Sequence, residues 1–245
     1  MTQIINFAHR GASAVCPENT MVAFRKALEL GATGIETDVQ MAKDGKLVLI
    51  HDESVNRTTN GQGWVKDYTF DEIQQLDAGS WFQESFRGEH LPSLEELLLL
   101  TKDKETIINI ELKNGIIQYP ELEERVIATI RSFGMEDRIV ISSFNHYSLV
   151  KCKSIAPEIR TGILYMEGLY EPWEYAKTVS ADALHANKYA VLPEWIEEAK
   201  ANGIVYHPFT VNDSEEMKRL IVAKVAGIIT DHPDRLHHLL QIEGA

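Results

Sequence analysis

The stretch that decides the fold is residues 34–51, GIETDVQMAKDGKLVLIH. It contains two strand-like runs, Gly34–Gln40 and Leu47–Ile50, with only about six residues between them. A helical crossover between parallel strands needs a dozen or more residues, so these runs are not successive parallel strands. The separator holds Asp44-Gly45, which is a strong two-residue hairpin signal. The sequence therefore predicts one long strand that leaves the sheet, turns at this dipeptide and comes back.

The centre of this turn determines which residues of the hairpin face each other. With the centre placed in the middle of the Asp44-Gly45 dipeptide, Met41 faces Val48 and Asp38 faces His51. This register predicts that the His51 side chain is a cross-strand neighbour of the Asp38 carboxylate.

Outside the hairpin, short strand-like runs alternate with longer helical patterns, which predicts parallel pairing. With the hairpin counted as one strand, eight parallel strands remain, near residues 4, 34, 107, 139, 160, 183, 204 and 227. The sequence therefore predicts an α/β fold, a closed (β/α)8 TIM-type barrel that forms a single domain over residues 1–245. An open doubly wound sheet is the alternative. The nucleotide-binding version of this sheet is disfavoured, because the first βα turn lacks the motif G-x-G-x-x-G.

Residues 52–90 do not fit this repeat and are rich in Thr, Asn, Gly and Asp. A connection of this length in a compact domain is usually functional or folds as a small excursion. We expect a small inserted subdomain of about residues 52–90 after the hairpin, above the barrel. Ser93-x-x-Glu96 predicts a capping box for the following helix, and Asn19 or Thr20 is expected to cap the first helix.

Composition excludes several classes of partner. The net charge of −13 argues against nucleic acid and anionic membranes, although local cations could still hold a small phosphate. No apolar run is long enough to span a bilayer, so no stable membrane insertion is expected. The two cysteines, Cys16 and Cys152, form no metal or redox motif. With no signal-peptide pattern at Met1–Phe7, we expect a cytoplasmic chain. The oligomeric state stays open.

Three carboxylates stand where barrel enzymes carry their active groups, at the carboxyl ends of strands. Glu36 and Asp38 are two positions apart and therefore point to one face of their strand. Glu111 has a similar position on the next barrel strand. An oxygen-rich set of this kind favours one divalent cation, Mg²⁺ or Ca²⁺, over Zn²⁺. The alternative is a structural ion network with Arg10 and Lys113.

Other strand ends carry groups suited to phosphate chemistry. Histidine is the side chain best suited to proton transfer near neutral pH, so His9 and His51 could act as base and acid on opposite sides of a phosphate. Arg10 and Lys113 could hold its oxygens. Phe209 could give an apolar wall for a small substrate. His185 also ends a strand, and its role stays open.

A set of short segments occurs in order along the chain. They are His9-Arg10-Gly11, Pro17-Glu18-Asn19-Thr20, Glu36-x-Asp38, Asp44-Gly45, His51-Asp52, Arg57-Thr58-Thr59, Leu76-Asp77-Ala78-Gly79-Ser80-Trp81, Pro92-x-Leu94-x-Glu96, Glu111-x-Lys113, Thr210-Val211-Asn212 and Thr230-Asp231-x-Pro233. Each segment alone is a weak signal, but the ordered set covers nearly the whole chain and is specific. In this order the segments resemble the glycerophosphodiester phosphodiesterase family, and most closely its small soluble bacterial members.

The resemblance implies a TIM-type barrel and metal-dependent hydrolysis of glycerophosphodiesters to sn-glycerol 3-phosphate and an alcohol. It implies metal ligands, a general acid and base, and phosphate-holding cations at the positions already singled out. The family often has Trp where this chain has Phe209, so the wall is retained without an indole N–H. The motif match assigns these roles to Glu36, Asp38 and Glu111, to His9 and His51, and to Arg10 and Lys113 respectively.

Three alternatives remain beside this interpretation. A lysophospholipase D on the same scaffold would need an apolar surface, for which the insertion offers Trp64, Trp81, Phe82 and Phe86. A metal-free lyase would use Lys113 as a Schiff-base amine, but the nearby Glu111 opposes the low pKa that such a lysine requires. A non-catalytic binding protein would have lost a histidine or a carboxylate, and every matched position is occupied.

Overall fold

The computed structural model describes residues 4–244. The strands are β1 (Ile5–His9), β2 (Gly34–Met41), β3 (Leu47–Leu49), β4 (Ile107–Leu112), β5 (Ile139–Ser143), β6 (Arg160–Tyr165), β7 (Ala183–Ala186), β8 (Val205–Tyr206) and β9 (Gly227–Thr230). The helices are α1 (Met21–Glu29), α2 (Phe70–Ile73), α3 (Leu94–Thr101), α4 (Leu122–Phe133), α5 (His146–Ile155), α6 (Pro172–Thr178), α7 (Pro193–Ala201), α8 (Ser214–Val222) and α9 (Pro233–Glu243). Over residues 4–244, every helix is too short or too polar to cross a membrane.

Eight of these strands form the predicted parallel barrel. Their order is β8-β7-β6-β5-β4-β2-β1-β9, and β3 pairs only with β2, antiparallel to it. Two backbone hydrogen bonds close the seam between the chain after β8 and β9: Ile229 N donates to Pro208 O at 3.0 Å, and Val211 N donates to Ile229 O at 2.9 Å. The (β/α)8 barrel is therefore confirmed, and the open doubly wound sheet is excluded.

The predicted register of the β2–β3 hairpin is wrong by one residue. Met41 pairs with Leu47 rather than with Val48. Further along the ladder, Ile50 N donates to Asp38 O at 3.0 Å, so Ile50 and not His51 lies opposite Asp38.

The cause of the shift is the length of the hairpin loop. Ala42 N donates to Lys46 O at 2.9 Å, which leaves three residues, Lys43-Asp44-Gly45, in the loop instead of two. Gly45 has a φ of 82°. A three-residue hairpin loop places its last residue in this left-handed region, where glycine carries no steric penalty. The dipeptide therefore marks the turn correctly but not its centre.

Phe7, His185 and His207 fill the inside of the barrel. The rings of Phe7 on β1 and His207 after β8 are 5.2 Å apart, although their strands are not neighbours in the sheet. His207 Nδ1 lies 3.0 Å from His185 Nε2, and His185 is fully buried. Burial lowers the pKa of His185 well below its usual value and that of His207 to about 3, so both rings are neutral. His185 therefore belongs to the barrel packing.

Residues 52–90 contain one short α-helix, α2, and several turns. Their apolar side chains pack against the outer part of the hairpin and form a cluster that is separate from the main core. This second cluster includes Val48, Ile50, Val55 and Ile73. The division at about residues 52–90 stays a prediction. The capping box of α3 is confirmed, because Ser93 Oγ accepts from Glu96 N while the Glu96 carboxylate accepts from Ser93 N.

Candidate active site

The barrel register brings three carboxylates together. Asp38 on β2 pairs with Glu111 on the parallel strand β4, and Glu36 lies two positions before Asp38 on the same face. One oxygen from each of the three residues lies within 4.8 Å of the others. All three residues are buried, at 9% exposure or less for each whole residue. Glu111 thus lies beside Glu36 and Asp38 from the adjacent strand, as its position in the sequence predicts.

This group of acids has too little compensating positive charge around it. Burial raises the pKa of Glu36 well above its usual value, and the Asp38 and Glu111 carboxylates raise it further. Burial and Asp38 raise the pKa of Glu111 to about 7. Burial would also raise the pKa of Asp38, but Arg10 and Lys113 outweigh it and hold that pKa below its usual range. Two cations therefore do not suffice to keep three buried acids ionised.

The donor set fits a hard divalent cation. Asp38 Oδ1 is buried and has no hydrogen-bond partner among residues 4–244. Asp38 Oδ2 instead accepts from Asn19 Nδ2 at 2.9 Å and lies 3.1 Å from Arg10 Nε. One oxygen of the Asp38 carboxylate is thus left without a hydrogen-bond donor among the described residues. Oxygen-only sites of this kind suit Mg²⁺ and Ca²⁺.

The two predicted phosphate-holding cations lie beside these acids. Lys113 Nζ is 2.9 Å from Glu111 Oε1 and 3.9 Å from Asp38 Oδ1. Arg10 Nη1 donates to Glu18 Oε1 at 2.9 Å. In the free protein both cations therefore serve as partners of acids, as the structural alternative required. Their position also leaves them within reach of an anion bound at the carboxylates.

His9 faces the acidic group with one ring nitrogen and a supporting carboxylate with the other. Its Nε2 is 4.0 Å from Glu36 Oε2, and its Nδ1 is 2.6 Å from Asp231 Oδ1. Asn212 Nδ2 and Ser13 Oγ also donate to the Asp231 carboxylate. Burial would raise the pKa of Asp231, but the hydrogen bonds from His9 and Asn212 outweigh it and keep that pKa below its usual range. Asp231 therefore fixes the orientation of the His9 ring.

The His51 ring is also held by a carboxylate at its Nδ1 atom. Its Nδ1 is 2.7 Å from Asp52 Oδ1, and its Nε2 is 3.2 Å from Lys113 Nζ. Gln40 Nε2 donates to the His51 backbone oxygen at 3.1 Å, so the chain is fixed where it leaves the hairpin ladder. Burial is the main cause of the lowered pKa of His51. His51 thus reaches the site, although the predicted register of the hairpin was wrong.

Several residues of this site were not given a role in it by the sequence interpretation. Asn19 does not cap α1, because Thr20 is the N-cap. Asn19 instead has a φ of 55° and links Thr37 Oγ1 to the Asp38 carboxylate. Asp52 and Asp231 support the histidines. The signal available in the sequence was that each of them lies in a motif segment but had no assigned role of its own.

Phe209 lies after β8, at the same end of the barrel as the polar groups. Its ring meets that of Phe144, which follows β5, with centroids 6.1 Å apart in an edge-to-face arrangement. The two rings form an apolar surface across the barrel mouth. A barrel with polar groups converging at the carboxyl ends of its strands has the arrangement of an enzyme.

Comparison with known proteins identifies the family to which this chain belongs. The model of the glycerophosphoryl diester phosphodiesterase family matches residues 9–235. A glycerophosphodiester phosphodiesterase of Caldanaerobacter subterraneus subsp. tengcongensis is 51% identical over 97% of this chain and 98% of its own length. The crystal structure of a glycerophosphodiester phosphodiesterase from Agrobacterium tumefaciens has a TM-score of 0.85 at 32% identity, covering 97% of this chain and 100% of that one.

A third relative was solved with a ligand. The structure of an Oleispira antarctica phosphodiesterase in complex with the product sn-glycerol-3-phosphate has a TM-score of 0.86 at 28% identity, covering 98% of this chain and 96% of that one. With these matches, the chain belongs to the glycerophosphodiester phosphodiesterase family. It is a glycerophosphodiester phosphodiesterase, an enzyme that hydrolyses phosphoric diesters.

Proposed function

We propose that this enzyme hydrolyses glycerophosphodiesters to sn-glycerol 3-phosphate and an alcohol by metal-dependent acid–base catalysis. The observation that carries the proposal is the meeting of three buried carboxylates with two imidazoles whose Nδ1 atoms are each held by an aspartate. The product bound by the Oleispira antarctica relative supports the same substrate class.

Glu36, Asp38 and Glu111 would hold one divalent cation, Mg²⁺ or Ca²⁺. When bound, the cation would polarise the phosphoryl oxygen and offset the charge that develops there. The raised pKa values of Glu36 and Glu111 indicate that positive charge is lacking there, and the cation would supply it. Both acids could then be ionised at neutral pH.

His9 and His51 would transfer the protons. Each ring has its Nδ1 on a carboxylate, which leaves Nε2 as the nitrogen facing the substrate. His9 lies beside Glu36 and His51 beside Lys113, and the two rings would act from opposite sides of the bound phosphate. This arrangement suits in-line cleavage, in which a base activates the nucleophile and an acid protonates the leaving oxygen.

Arg10 and Lys113 would bind the phosphate oxygens, and Phe209 would face the apolar part of the glycerol moiety. The pKa of Lys113 argues against its use as a Schiff-base amine. Burial alone would lower that pKa, but Glu111 and Asp38 outweigh burial and raise it, so the amine stays protonated.

A substrate panel with a metal titration tests the proposal. EDTA should abolish hydrolysis of glycerophosphocholine and glycerophosphoethanolamine, and Mg²⁺ or Ca²⁺ should restore it, with sn-glycerol 3-phosphate as the product. Full activity in EDTA would contradict the assignment of the cation. Faster hydrolysis of lysophosphatidylcholine than of glycerophosphocholine would favour a lysophospholipase D instead.

The acid–base assignment is tested by substitution of each histidine. His9→Ala and His51→Ala should each lower kcat by about 10²–10⁴, the usual contribution of general acid–base catalysis. His146→Ala is the control, since that imidazole binds Tyr175 Oη and the Leu164 backbone away from the carboxylates. A near-normal kcat in either test variant would remove that residue from the mechanism.

A further inference from the structure

Two charged residues of the motif segments, Glu18 and Arg57, have no role in the proposed chemistry. The structure joins them through a single guanidinium. Arg57 Nη1 and Nη2 donate to the two oxygens of Glu18 at 2.9 and 2.8 Å. On its other edge, Arg57 Nε and Nη2 donate to the two oxygens of Asp52 at 2.8 and 3.0 Å. One side chain therefore binds two carboxylates, each with two hydrogen bonds.

Each of these carboxylates also contacts a group of the proposed site. Glu18 Oε1 accepts from Arg10 Nη1 at 2.9 Å, and Asp52 Oδ1 lies 2.7 Å from His51 Nδ1. A continuous path of hydrogen bonds thus runs from Arg10 through Glu18, Arg57 and Asp52 to His51. It connects the loop after β1 with the end of the hairpin, and its central member comes from residues 52–90.

The chemistry of the path explains why an arginine stands at its centre. A planar guanidinium can present paired N–H groups to two carboxylates at fixed angles, which a lysine ammonium cannot do. Hydrogen bonds from Arg57 are the main cause of the low pKa of Asp52, so that acid remains ionised and accepts from His51. Burial would raise the pKa of Glu18, but Arg57 and Arg10 outweigh it.

We propose that Arg57 is a positioning residue that sets the phosphate-holding group Arg10 and the proton-transfer group His51 in one geometry. The inference rests on the proposed function of those two residues. It assigns a catalytic consequence to an ion pair that by exposure alone resembles the many surface pairs with little effect.

Steady-state kinetics with glycerophosphocholine and saturating Mg²⁺ or Ca²⁺ tests this role. Asp52→Asn should mainly lower kcat, because it loosens His51. Glu18→Gln should mainly raise KM, because it loosens Arg10. Arg57→Ala should do both, with a loss in kcat/KM of about 10–100-fold, the usual effect of losing a group that orients a site residue. Arg57→Lys should keep the charge but recover only part of the loss.

The matched control is Arg131→Ala on α4. Arg131 binds Glu158 through two hydrogen bonds and has 43% side-chain exposure, against 42% for Arg57. It lies away from the carboxylate group, so its kcat and KM should equal those of the wild type. Guanidinium ion at millimolar concentration should partly restore Arg57→Ala but not His51→Ala, since Arg57 is open enough for the ion to take its place.

A measurement independent of turnover is the ring N–H signal of His51 in protein labelled with ¹⁵N-histidine and prepared in EDTA. The signal, assigned by its absence in His51→Ala, should broaden or vanish in Arg57→Ala and persist in Arg131→Ala.

Wild-type kcat and KM in Arg57→Ala, or in Arg57→Lys where the alanine variant does not fold, would overturn the inference. So would equal losses in the Arg57 and Arg131 variants. An inactive wild type would overturn the proposed function instead, and the His51 signal would still report whether Arg57 orients that ring.

Discussion

Glu111→Gln should stabilise the cation-free protein at alkaline pH, although it removes a proposed metal ligand. Burial and the nearby Asp38 raise the pKa of Glu111 from 4.5 to about 7. Because the folded-state pKa is the higher one, this group's stabilising contribution is fully present below the unfolded-state pKa and is lost as the pH rises through about 7. At roughly 1.4 kcal/mol per pKa unit, the full loss is about 3 kcal/mol.

The assay is urea unfolding of the wild type and the variant in EDTA at pH 5 and at pH 8. Glutamine does not ionise, so the difference in free energy of unfolding should shift by about 2–3 kcal/mol in favour of the variant between these conditions. Glu197→Gln on the exposed face of α7 is the control for exchange of a carboxylate for an amide away from the buried acids.

Added Mg²⁺ or Ca²⁺ completes the experiment. It should stabilise the wild type at pH 8, because a ligand that binds only the folded state shifts the unfolding equilibrium, and it should act much less on Glu111→Gln. If the difference in free energy of unfolding between the wild type and the variant is the same at both pH values in EDTA, the argument from the raised pKa of Glu111 is wrong. Equal stabilisation of both by the cation would remove Glu111 from the ligand set.

Two further predictions concern the surroundings of the site. Asp231→Asn should lower kcat at least 10-fold with little change in KM, because it weakens the hold on His9 Nδ1; steady-state kinetics measures this, and an unchanged kcat would show that His9 needs no such support. Gly162→Ala should cost about 1–3 kcal/mol in urea unfolding, because a Cβ there would lie 2.5 Å from the buried His185 Nε2. Gly168→Ala, where a Cβ meets nothing within 4 Å, is its control, and equal stability of the two variants would contradict the packing argument.

The barrel could be predicted from the sequence because each of its parts is a local pattern. Strand-like runs alternate with helical ones, and strand periodicity alone places Glu36 and Asp38 on one face. The hairpin register could not be predicted equally well. Gly45 is compatible with loops of two or three residues, and a change of one residue shifts every cross-strand pair.

The supporting groups were beyond local patterns for a different reason. His9 and Asp231 are 222 positions apart and meet only because β9, near the end of the chain, pairs with β1. Glu18 and Arg57 meet only because residues 52–90 return over the loop after β1. No periodicity reports such contacts, so Asp231, Glu18 and Arg57 were visible in the sequence only as members of motif segments, without a role of their own.

The balance of charge ties the site's stability to its proposed chemistry. Arg10 and Lys113 lower the pKa of Asp38, but Glu36 and Glu111 retain raised pKa values, so without a cation these two acids hold protons more readily than free carboxyl groups do. A divalent cation would have to displace those protons, and its binding would therefore strengthen as the pH rises. The same deficit of positive charge that costs the free protein stability would thus make its acids an effective cation site.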